Sequence, residues 1–273
     1  MLGSRSDAED VVQDAYLRWL DAPAEEIRLP KAYLMTVVSR LSLDALKSAR
    51  RKREVYTGPW LPEPLVESFG SQRLEMVETL SIAFLHVLEL LSPTERIAFL
   101  LREVFDASYG ELAQALDTTE ENCRQIVMRA RKRVQAKRPR FTVDYDRHRQ
   151  VLQHFLMACS SGDPARLAEL LRQDAVMYSD GGGKASAALN PIVGADHIGR
   201  FFAGLEKKGL LRGMRAEFVA VNGQPGAVLF SGDHLESVVT LAIDEHQKIV
   251  NIFLVVNPDK LPRELPGLTR GER

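Results

Sequence analysis

The spacing of apolar residues changes near residue 140, and this change constrains the fold more than any other feature of the sequence. Before it, apolar residues recur every three to four positions, which is the period of an amphipathic helix. After it come alternating and β-branched runs, bounded by Gly, Asn and Asp, that are typical of strands. Helices followed by a long antiparallel meander predict helical domains and then an α+β domain whose sheet curves round a helix to form a cone.

Start and stop signals mark two helices in the first 54 residues. Ser6 or Asp7 can cap a helix over residues 6–20, with acidic residues in its first turn. Pro30 stands at the first position of a second helix, which continues to Glu54 and ends in a strongly basic stretch.

The stretch YTGPWLPEPLVES, residues 56–68, contains three prolines and a glycine, which exclude a helix. We therefore predict an extended linker. Its middle carries Trp60 and Leu61. Because an exposed tryptophan is unusual in a solvated linker, we expect this segment to dock against another part of the chain.

Four helical patterns follow the linker. Ser92, Pro93 and Glu95 have the capping-box arrangement that starts the second of them. The third and fourth are a short helix and a longer basic helix joined by the polar turn 117–121, which is the pattern of a helix-turn-helix. The four predicted ranges are 73–90, 92–105, 108–116 and 122–138.

The second half contains three helical and five strand patterns. The helices are predicted at about residues 144–160, 163–171 and 194–208. The strands are predicted within residues 174–180, 214–223, 226–232, 234–244 and 247–257.

The formal net charge of -1 hides an uneven distribution of basic residues. Two basic clusters are typical of nucleic-acid contacts, although a solvated helix face has the same composition. The first comprises Lys47, Arg50, Arg51, Lys52 and Arg53. The second comprises Arg124, Arg129, Arg131, Lys132, Arg133, Lys137, Arg138 and Arg140.

Composition argues against several classes of protein. With 45% hydrophobic and 27% charged residues the chain is expected to be globular. No apolar run approaches membrane-spanning length and no signal peptide is visible, so we expect a cytoplasmic protein that is not bound to a membrane. Cys123 and Cys159 lie far apart without CxxC spacing, which argues against a disulfide framework or a zinc site. We expect no metal and no cofactor.

The stretch DGGGK, residues 180–184, raises the question of what requires so bare a backbone. A phosphate-binding loop needs a further glycine five residues before Gly183 and a Ser or Thr after Lys184, and this sequence has neither. Glycines also let another segment approach the backbone closely. Asp180 and Lys184 are then expected to pair or bond with that segment, for which the linker and the first helical domain are the candidates. A plain hairpin-like loop is the alternative.

These segments resemble the extracytoplasmic-function (ECF) sigma factors of bacterial RNA polymerase. DAEDVVQDAYLRWL is similar to their core-polymerase-binding segment, and PKAYLMTVVSRLSLDALKSARRKRE to the helix that meets the promoter −10 element. LSPTERIAFLLREVFDASYGELAQAL, with ENCRQIVMRARKRV, is similar to their −35-reading domain. The resemblance implies an all-α sigma domain 2 over residues 1–54 and an all-α, helix-turn-helix sigma domain 4 over residues 73–140.

The second half resembles the SnoaL-like members of the NTF2-like cone fold, whose fusion to sigma domains defines a SigJ-like subgroup. Three motifs mark this subgroup: WLPEP at 60–64, DGGGK at 180–184 and NPDK at 257–260. The resemblance implies a linker over 55–72, a SnoaL-like regulatory domain over 144–260 and a tail over 261–273. It implies interdomain contacts by Trp60, Leu61, Pro62, Asp180, Gly181, Gly182, Gly183, Lys184, Asn257, Pro258, Asp259 and Lys260.

The resemblance also implies which residues bind DNA and polymerase. In the −35 domain, Arg124 and Gln125 would read base edges, because Arg pairs with guanine and Gln with adenine in the major groove. The residues expected to contact −35 phosphates are Arg129, Arg131, Lys132 and Arg133. Those expected on −10 DNA are Arg40, Lys47, Arg50 and Arg51. Those expected on core polymerase are Asp10, Asp14 and Trp19. Asp44 either belongs to the −10 surface or pairs with Lys47.

We therefore predict a sigma factor that directs core RNA polymerase to −10/−35 promoters and is regulated by its fused C-terminal domain, with no catalysis of its own. Family members carry a helix upstream of MLGSRSDAED, so the first helix of sigma domain 2 is expected to be absent or reduced. This makes a DNA-binding regulator that cannot support initiation one alternative. Another is a SnoaL-type enzyme fused to a DNA-reading module, using Asp180, His197, Asp233 and His234. The cone is also expected to be able to hold a small ligand.

Overall fold

The computed structural model describes residues 1–23, 27, 29–67, 81–137, 144–263 and 265, with the backbone alone at 50–54 and 137. The chain forms two compact units. One unit comprises Met1–Val55 and Leu85–Arg138, and the other comprises Tyr56–Phe84 and Pro139–Arg273. We call them the helical unit and the sheet unit.

The helical unit is built from helices that start and end close to the predicted positions. Its helices are α1 (Arg5–Asp21), α2 (Pro30–Glu54), α4 (Pro93–Glu103), α5 (Tyr109–Leu116) and α6 (Glu120–Lys137), with the end of α3 (Ile82–Glu89). The Ser92–Glu95 capping box of α4 is confirmed. The predicted cap of α1 is wrong: Ser4 caps it, because its hydroxyl accepts the backbone N–H of Asp7 at 3.3 Å.

Two apolar clusters hold the helical unit together. In the first, Met35 of α2 packs against buried residues of the helix-turn-helix, among them Leu112 and Val127. In the second, Val11 of α1 and Leu46 of α2 pack with Ile97 of α4. Helix α2, which precedes the linker, is therefore packed directly against α4 and α5, which follow it.

The sheet unit contains one seven-stranded sheet in the order β1-β4-β5-β6-β7-β2-β3. Its strands are β1 (Val66–Glu67), β2 (Leu171–Asp180), β3 (Ile192–Val193), β4 (Met214–Val221), β5 (Gln224–Ser231), β6 (His234–Ile243) and β7 (Ile249–Val255). Strands β4 to β7 form the predicted antiparallel meander. The prediction of an antiparallel arrangement is wrong for β2. This strand runs parallel to β7, the last strand of the meander, which the chain reaches only after β4, β5 and β6.

Helices cover one face of this sheet. They are α7 (Tyr145–Ser161), α8 (Pro164–Leu170) and α9 (Ala195–Lys207). Alternation along each strand separates the faces, so that Met177 and Ile252 pack under the helices while Tyr178 and Phe253 point to the other side. The predicted order, an all-α part followed by an α+β part, is confirmed.

The linker covers the second face of the sheet. Leu61 is fully buried there, and Ile82 at the start of α3 packs into the same apolar cluster. Strand β1 lies in the linker and pairs antiparallel with β4, where Leu65 and Asn222 exchange hydrogen bonds. The described part of the predicted linker, apart from Val55, thus belongs to the sheet unit. The rest of it lies outside the described residues, as do residues 73–80 of the predicted helix 73–90.

Within the described residues, no helix combines the length and the apolar character needed to cross a membrane.

Candidate functional site

The helix-turn-helix places Arg124 and Gln125 near the start of its second helix. Helix α5 is followed by Asp117, whose left-handed φ of 52° turns the chain sharply. The Thr119 hydroxyl accepts the N–H of Asn122 at 3.2 Å, so α6 begins two residues earlier than predicted. This turn brings both side chains to the second turn of α6, where they are exposed.

Helix α6 is strongly two-sided. Its inner face carries Cys123, Ile126, Val127, Ala130 and Val134, all buried. Its outer face carries Arg124, Gln125, Arg129, Arg131, Lys132 and Arg133, all exposed. The 3.6-residue period therefore gathers all six predicted −35 residues on the solvent side of one helix.

Carboxylates of the same unit already hold the guanidinium groups of this surface. Glu120 accepts a hydrogen bond from Arg124 at 2.6 Å. Glu103 accepts one from Arg131 at 2.6 Å and raises the pKa of that guanidinium. Arg133 and Arg129 share one partner, the nearly buried carboxylate of Glu95, with N–O distances of 2.7 and 4.0 Å. Any anion that binds these guanidinium groups must therefore compete with these acids.

The predicted −10 residues lie on α2. Arg40 and Lys47 are exposed. Asp44 lies 3.7 Å from the Lys47 ammonium, within the same helix, so the intrahelical pair is formed. The side chains of Arg50 and Arg51 lie outside the described residues.

Helix α1 carries exposed apolar side chains in addition to those that pack on its inner face. Its apolar residues come in adjacent pairs, and Val11 is buried while Val12 and Tyr16 are exposed by 66% and 60%. A shallow groove runs along this side, lined by Arg5, Ala8, Glu9, Val12, Gln13 and Tyr16. The predicted polymerase-binding residues Asp10 and Asp14 are exposed, and Trp19 packs edge-on against Tyr33 at 5.9 Å.

In the sheet unit, Asp180 at the end of β2 binds the linker. Its carboxylate is fully buried and accepts hydrogen bonds from the Tyr56 hydroxyl, the Leu61 N–H at 2.8 Å and the Lys260 ammonium at 2.7 Å. Lys260 also donates to the Leu61 carbonyl at 2.7 Å and lies 3.2 Å from the centre of the Trp60 ring. We call this group of five residues the linker clamp.

Asn257 extends the clamp to the third motif. Its side-chain amide donates to the Tyr56 hydroxyl at 2.8 Å, and its backbone N–H donates to the Asp180 carbonyl at 2.9 Å. Burial, together with the hydrogen bond to Asp180, raises the pKa of Tyr56. Tyr56 is therefore a neutral donor to a carboxylate that Lys260 neutralises.

The DGGGK glycines make this close approach possible. Gly182 has a φ of 58°, and a Cβ added there would lie 2.8 Å from Asn257 Cγ and 2.9 Å from the Tyr56 hydroxyl. The backbone N–H groups of Lys184 and Ala185 bond to the Gly181 carbonyl, so they do not form an anion cradle.

The partners within the motifs differ in part from the predicted ones. Leu61, not Trp60, is the fully buried side chain of the linker, because the Trp60 ring lies half-buried over Lys260. Lys184 pairs with Asp259 of the NPDK motif, where both side chains are more than half exposed. Of the other motif residues, Pro62 and Gly181 are buried, and Gly183 and Pro258 are exposed.

Tyr56 was missed in the sequence. Its only signal was a hydroxyl on an aromatic residue at the start of an otherwise apolar docking segment.

The four candidate catalytic residues are not brought together. Both carboxylate oxygens of Asp180 are engaged by the clamp, on the linker side of the sheet. Asp233 and His234 are exposed at the turn between β5 and β6. His197 lies on α9, and its ring forms a hydrogen bond with the Val193 carbonyl.

Two family models match the chain. The model of sigma-70 region 2 matches residues 1–52, and that of sigma-70 region 4 matches residues 81–134. The chain is 36% identical over 274 residues to the ECF RNA polymerase sigma factor SigJ of Mycobacterium tuberculosis (strain ATCC 25618 / H37Rv), covering 95% of this chain and 87% of SigJ. It is 34% identical over 280 residues to the probable ECF RNA polymerase sigma factor SigI of M. tuberculosis (strain CDC 1551 / Oshkosh), covering 98% and 91%.

The crystal structure of M. tuberculosis SigJ matches with a TM-score of 0.75 at 34% identity, covering 94% of this chain and 90% of SigJ. The similarity thus extends over the sigma regions, the linker and the sheet unit. The chain belongs to the extracytoplasmic-function sigma factors, and its role is in transcription initiation by bacterial RNA polymerase.

Proposed function

We propose that this sigma factor reads the −35 element with α6. Arg124 and Gln125 would contact base edges, since residues near the start of a recognition helix reach furthest into the major groove. Arg129, Arg131, Lys132 and Arg133 would contact phosphates and set the register. The support for this assignment is the exposure of all six side chains on one face of α6.

The −10 element and the polymerase core would be bound by the first two helices. Arg40 and Lys47 of α2 are exposed cations that can follow the backbone of a melted strand, and Arg50 and Arg51 continue the same basic stretch. The exposed apolar side of α1, next to Asp10 and Asp14, would bind core polymerase. Exposed apolar surface on a helix with acidic neighbours favours a protein partner over DNA.

The packing inside the helical unit is incompatible with binding both promoter elements at once. Elements centred at −10 and −35 lie about 25 base pairs apart, which is about 85 Å of B-form DNA. Met35 of α2 packs on the cluster that contains Val127 of α6, and side chains in contact keep helices about 8–10 Å apart. The observed packing would therefore be a resting state, and the helical unit would open on the promoter.

The linker clamp would stabilise this resting state. Helix α2 ends two residues before Tyr56, and α3 begins with Ile82, which shares an apolar cluster with Leu61. While both ends of the linker are fixed on one sheet face, only short tethers connect α2 and α4 to it. Short tethers raise the effective concentration of one helix near the other and so favour their packed form. Release of the linker would lengthen the tether. This buried clamp is the observation that supports intramolecular regulation.

The cone would act as a regulatory and not a catalytic domain. A general base needs a free oxygen, and the buried Asp180 carboxylate has its oxygens bonded to three donors.

Transcription with core polymerase tests the regulatory role. Tyr56→Phe removes both hydrogen bonds of this hydroxyl, the one donated to Asp180 and the one accepted from Asn257, a loss of about 1 kcal/mol each. We expect it to raise promoter-specific transcription without unfolding the sheet unit. Asp180→Asn should have a larger effect, because it leaves the Lys260 ammonium buried without its counter-charge.

Lys184→Met is the matched control. It removes an ion pair whose two side chains are more than half exposed, so transcription should not change. Energy transfer between labels at Lys31 of α2 and Gln135 of α6, which are exposed and lie outside both proposed DNA-contact sets, should fall when core and promoter are added. Transcription that drops in Tyr56→Phe, with a folded sheet unit, would show that the clamp supports initiation and does not restrain it.

A further inference from the structure

Two guanidinium groups contact the ring of Tyr109, the first residue of α5. The Cζ atom of Arg102 lies 5.2 Å from the ring centre, and that of Arg124 lies 5.0 Å from it. Both distances are within the range of about 6 Å over which a cation is attracted to an aromatic face. Tyr109 thus links the end of α4 to the proposed base-reading residue of α6.

The Tyr109 ring is itself held in place. Ser108 and Glu111 form a capping box that fixes the start of α5. Arg102, one of the two arginines in contact with the ring, donates to the Ala107 carbonyl at 2.8 Å. The ring is partly buried against the apolar cluster of the helix-turn-helix. It therefore offers Arg124 a fixed surface.

Glu120 also holds the Arg124 guanidinium, which donates to its carboxylate at 2.6 Å. A guanidinium has five N–H donors, so four remain for DNA. The carboxylate also repels phosphates, which favours contact of Arg124 with a base edge over contact with the backbone.

We infer that Tyr109 is a positioning residue for promoter reading, which orients Arg124 towards one base pair of the −35 element. A long exposed side chain loses rotamer freedom when it binds, and orientation before binding reduces that loss. A guanine accepts two hydrogen bonds from one guanidinium only when the two planes are aligned, so orientation improves discrimination more than affinity. This inference rests on the proposed reading of the −35 element by Arg124.

The test measures binding of the full-length protein with core polymerase to promoter duplexes that carry each −35 base pair in turn substituted. Arg124→Ala identifies the base pair at which discrimination is lost. Tyr109→Leu should reduce discrimination at that same base pair by about two- to fivefold, with an unchanged salt dependence. Tyr109→Phe keeps the aromatic face and should discriminate like the unmodified protein.

Trifluorophenylalanine at residue 109 provides a variant that keeps the packing of the ring and weakens its negative face. It should lose discrimination relative to Tyr109→Phe at an unchanged melting temperature, which a purely structural role would not produce. In the Arg124→Ala background, substitutions of Tyr109 should have no further effect on discrimination.

The outcomes separate the two levels of the hypothesis. Equal weakening of every duplex by Arg124→Ala would overturn the proposed base reading and the role of Tyr109 with it. Loss of discrimination in Arg124→Ala, with full discrimination in both Tyr109→Leu and the trifluorophenylalanine protein, would overturn the role of Tyr109 alone.

Discussion

At the scale of single residues, the linker is recognised by a buried charge and not by apolar contact alone. Asp180 is fully buried, and a buried carboxylate is stable only if its charge and lone pairs are satisfied. Lys260 supplies the charge, and Tyr56 and the Leu61 N–H supply the remaining donors. Displacement of the linker removes two of the three donors, so the clamp specifies this segment in one register.

Gly182→Val tests the close approach of the linker. Gly182 and Gly232 have the same φ of 58°, but an added Cβ meets Tyr56 and Asn257 only at Gly182 and finds open space at Gly232. Both substitutions strain the backbone by about 1–3 kcal/mol. We expect Gly182→Val to lower the free energy of unfolding of the sheet unit by more than Gly232→Val does, as measured by urea denaturation. Equal losses would mean that the loop yields without affecting the clamp.

His148 should make the stability of the sheet unit depend on pH. Burial lowers the pKa of His148 to about 4 from its ordinary value of 6.5. Between these pH values the unfolded chain binds the proton and the folded chain does not, so stability falls as the pH falls from 6.5 towards 4. The loss is at most about 3 kcal/mol, at about 1.4 kcal/mol per pKa unit.

Urea unfolding at a series of pH values checks this prediction. His148→Gln should lose less stability than the unmodified protein over that interval, whereas His246→Gln, at an exposed position, should follow it. Parallel curves for the unmodified protein and His148→Gln would contradict the assignment.

At the scale of elements, α6 presents a basic face whose guanidiniums are already paired within the protein. Arg131 bonds to Glu103 of α4, and Arg133 bonds to Glu95 at the start of α4. These pairs orient the cations. On the proposed role of Arg131 and Arg133 as phosphate contacts, each pair would be exchanged for a phosphate when DNA binds, and α4 would influence DNA affinity without having to touch DNA.

Substitutions at Arg131 and Glu103 should shift DNA affinity in opposite directions. Arg131→Ala should weaken all sequences alike and reduce the slope of log K against log salt by about 0.9, the value for one phosphate contact. Glu103→Gln should strengthen all sequences alike, because Arg131 is released from its internal partner.

Binding to matched and unrelated duplexes at several salt concentrations measures both effects. Glu245→Gln changes the net charge equally at an exposed site of the sheet unit and should leave affinity unchanged. Sequence-dependent weakening by Arg131→Ala would instead assign this residue to base reading.

At the scale of the whole molecule, the chain passes between the two units three times. The passages follow Val55, Phe84 and Arg138, so the helix-turn-helix is inserted, in sequence, within the sheet unit. The predicted regulatory domain at 144–260 lacks Leu61, Ile82 and β1, which cover one face of its sheet. A fragment of the C-terminal half alone would therefore expose apolar surface.

A fragment of residues 139–273 should bind the linker as a separate peptide. We expect the fragment to bind a hydrophobic dye and to release it when a peptide of residues 56–67 is added. Leu61→Ala in the peptide should weaken its binding roughly 30-fold or more, because a fully buried leucine is truncated. Leu65→Ala, at an exposed position, is the matched control. A fragment without dye binding would show that this face is closed without the linker.

Local signals were sufficient to predict most elements and the family. Helix periodicity, the Ser92–Glu95 capping box, Pro30 and the prolines of the linker act over a few residues, so their effect is visible in the sequence. The same signals missed β1, because two residues of a proline-rich segment become a strand only when β4 offers an edge. They could not show that β2 pairs in parallel with β7, which depends on the path of the whole meander.

The motifs likewise indicated which residues matter but not how they pair. Local patterns along the chain were enough to identify a helical, basic DNA-binding half, a docking linker and a bare glycine loop. The pairing of Asp180 with Lys260 and not Lys184, and the place of Tyr56 in the clamp, became evident only in the folded chain. Asp180 meets the Leu61 N–H across 119 residues, and no local rule of spacing or propensity acts over such a separation.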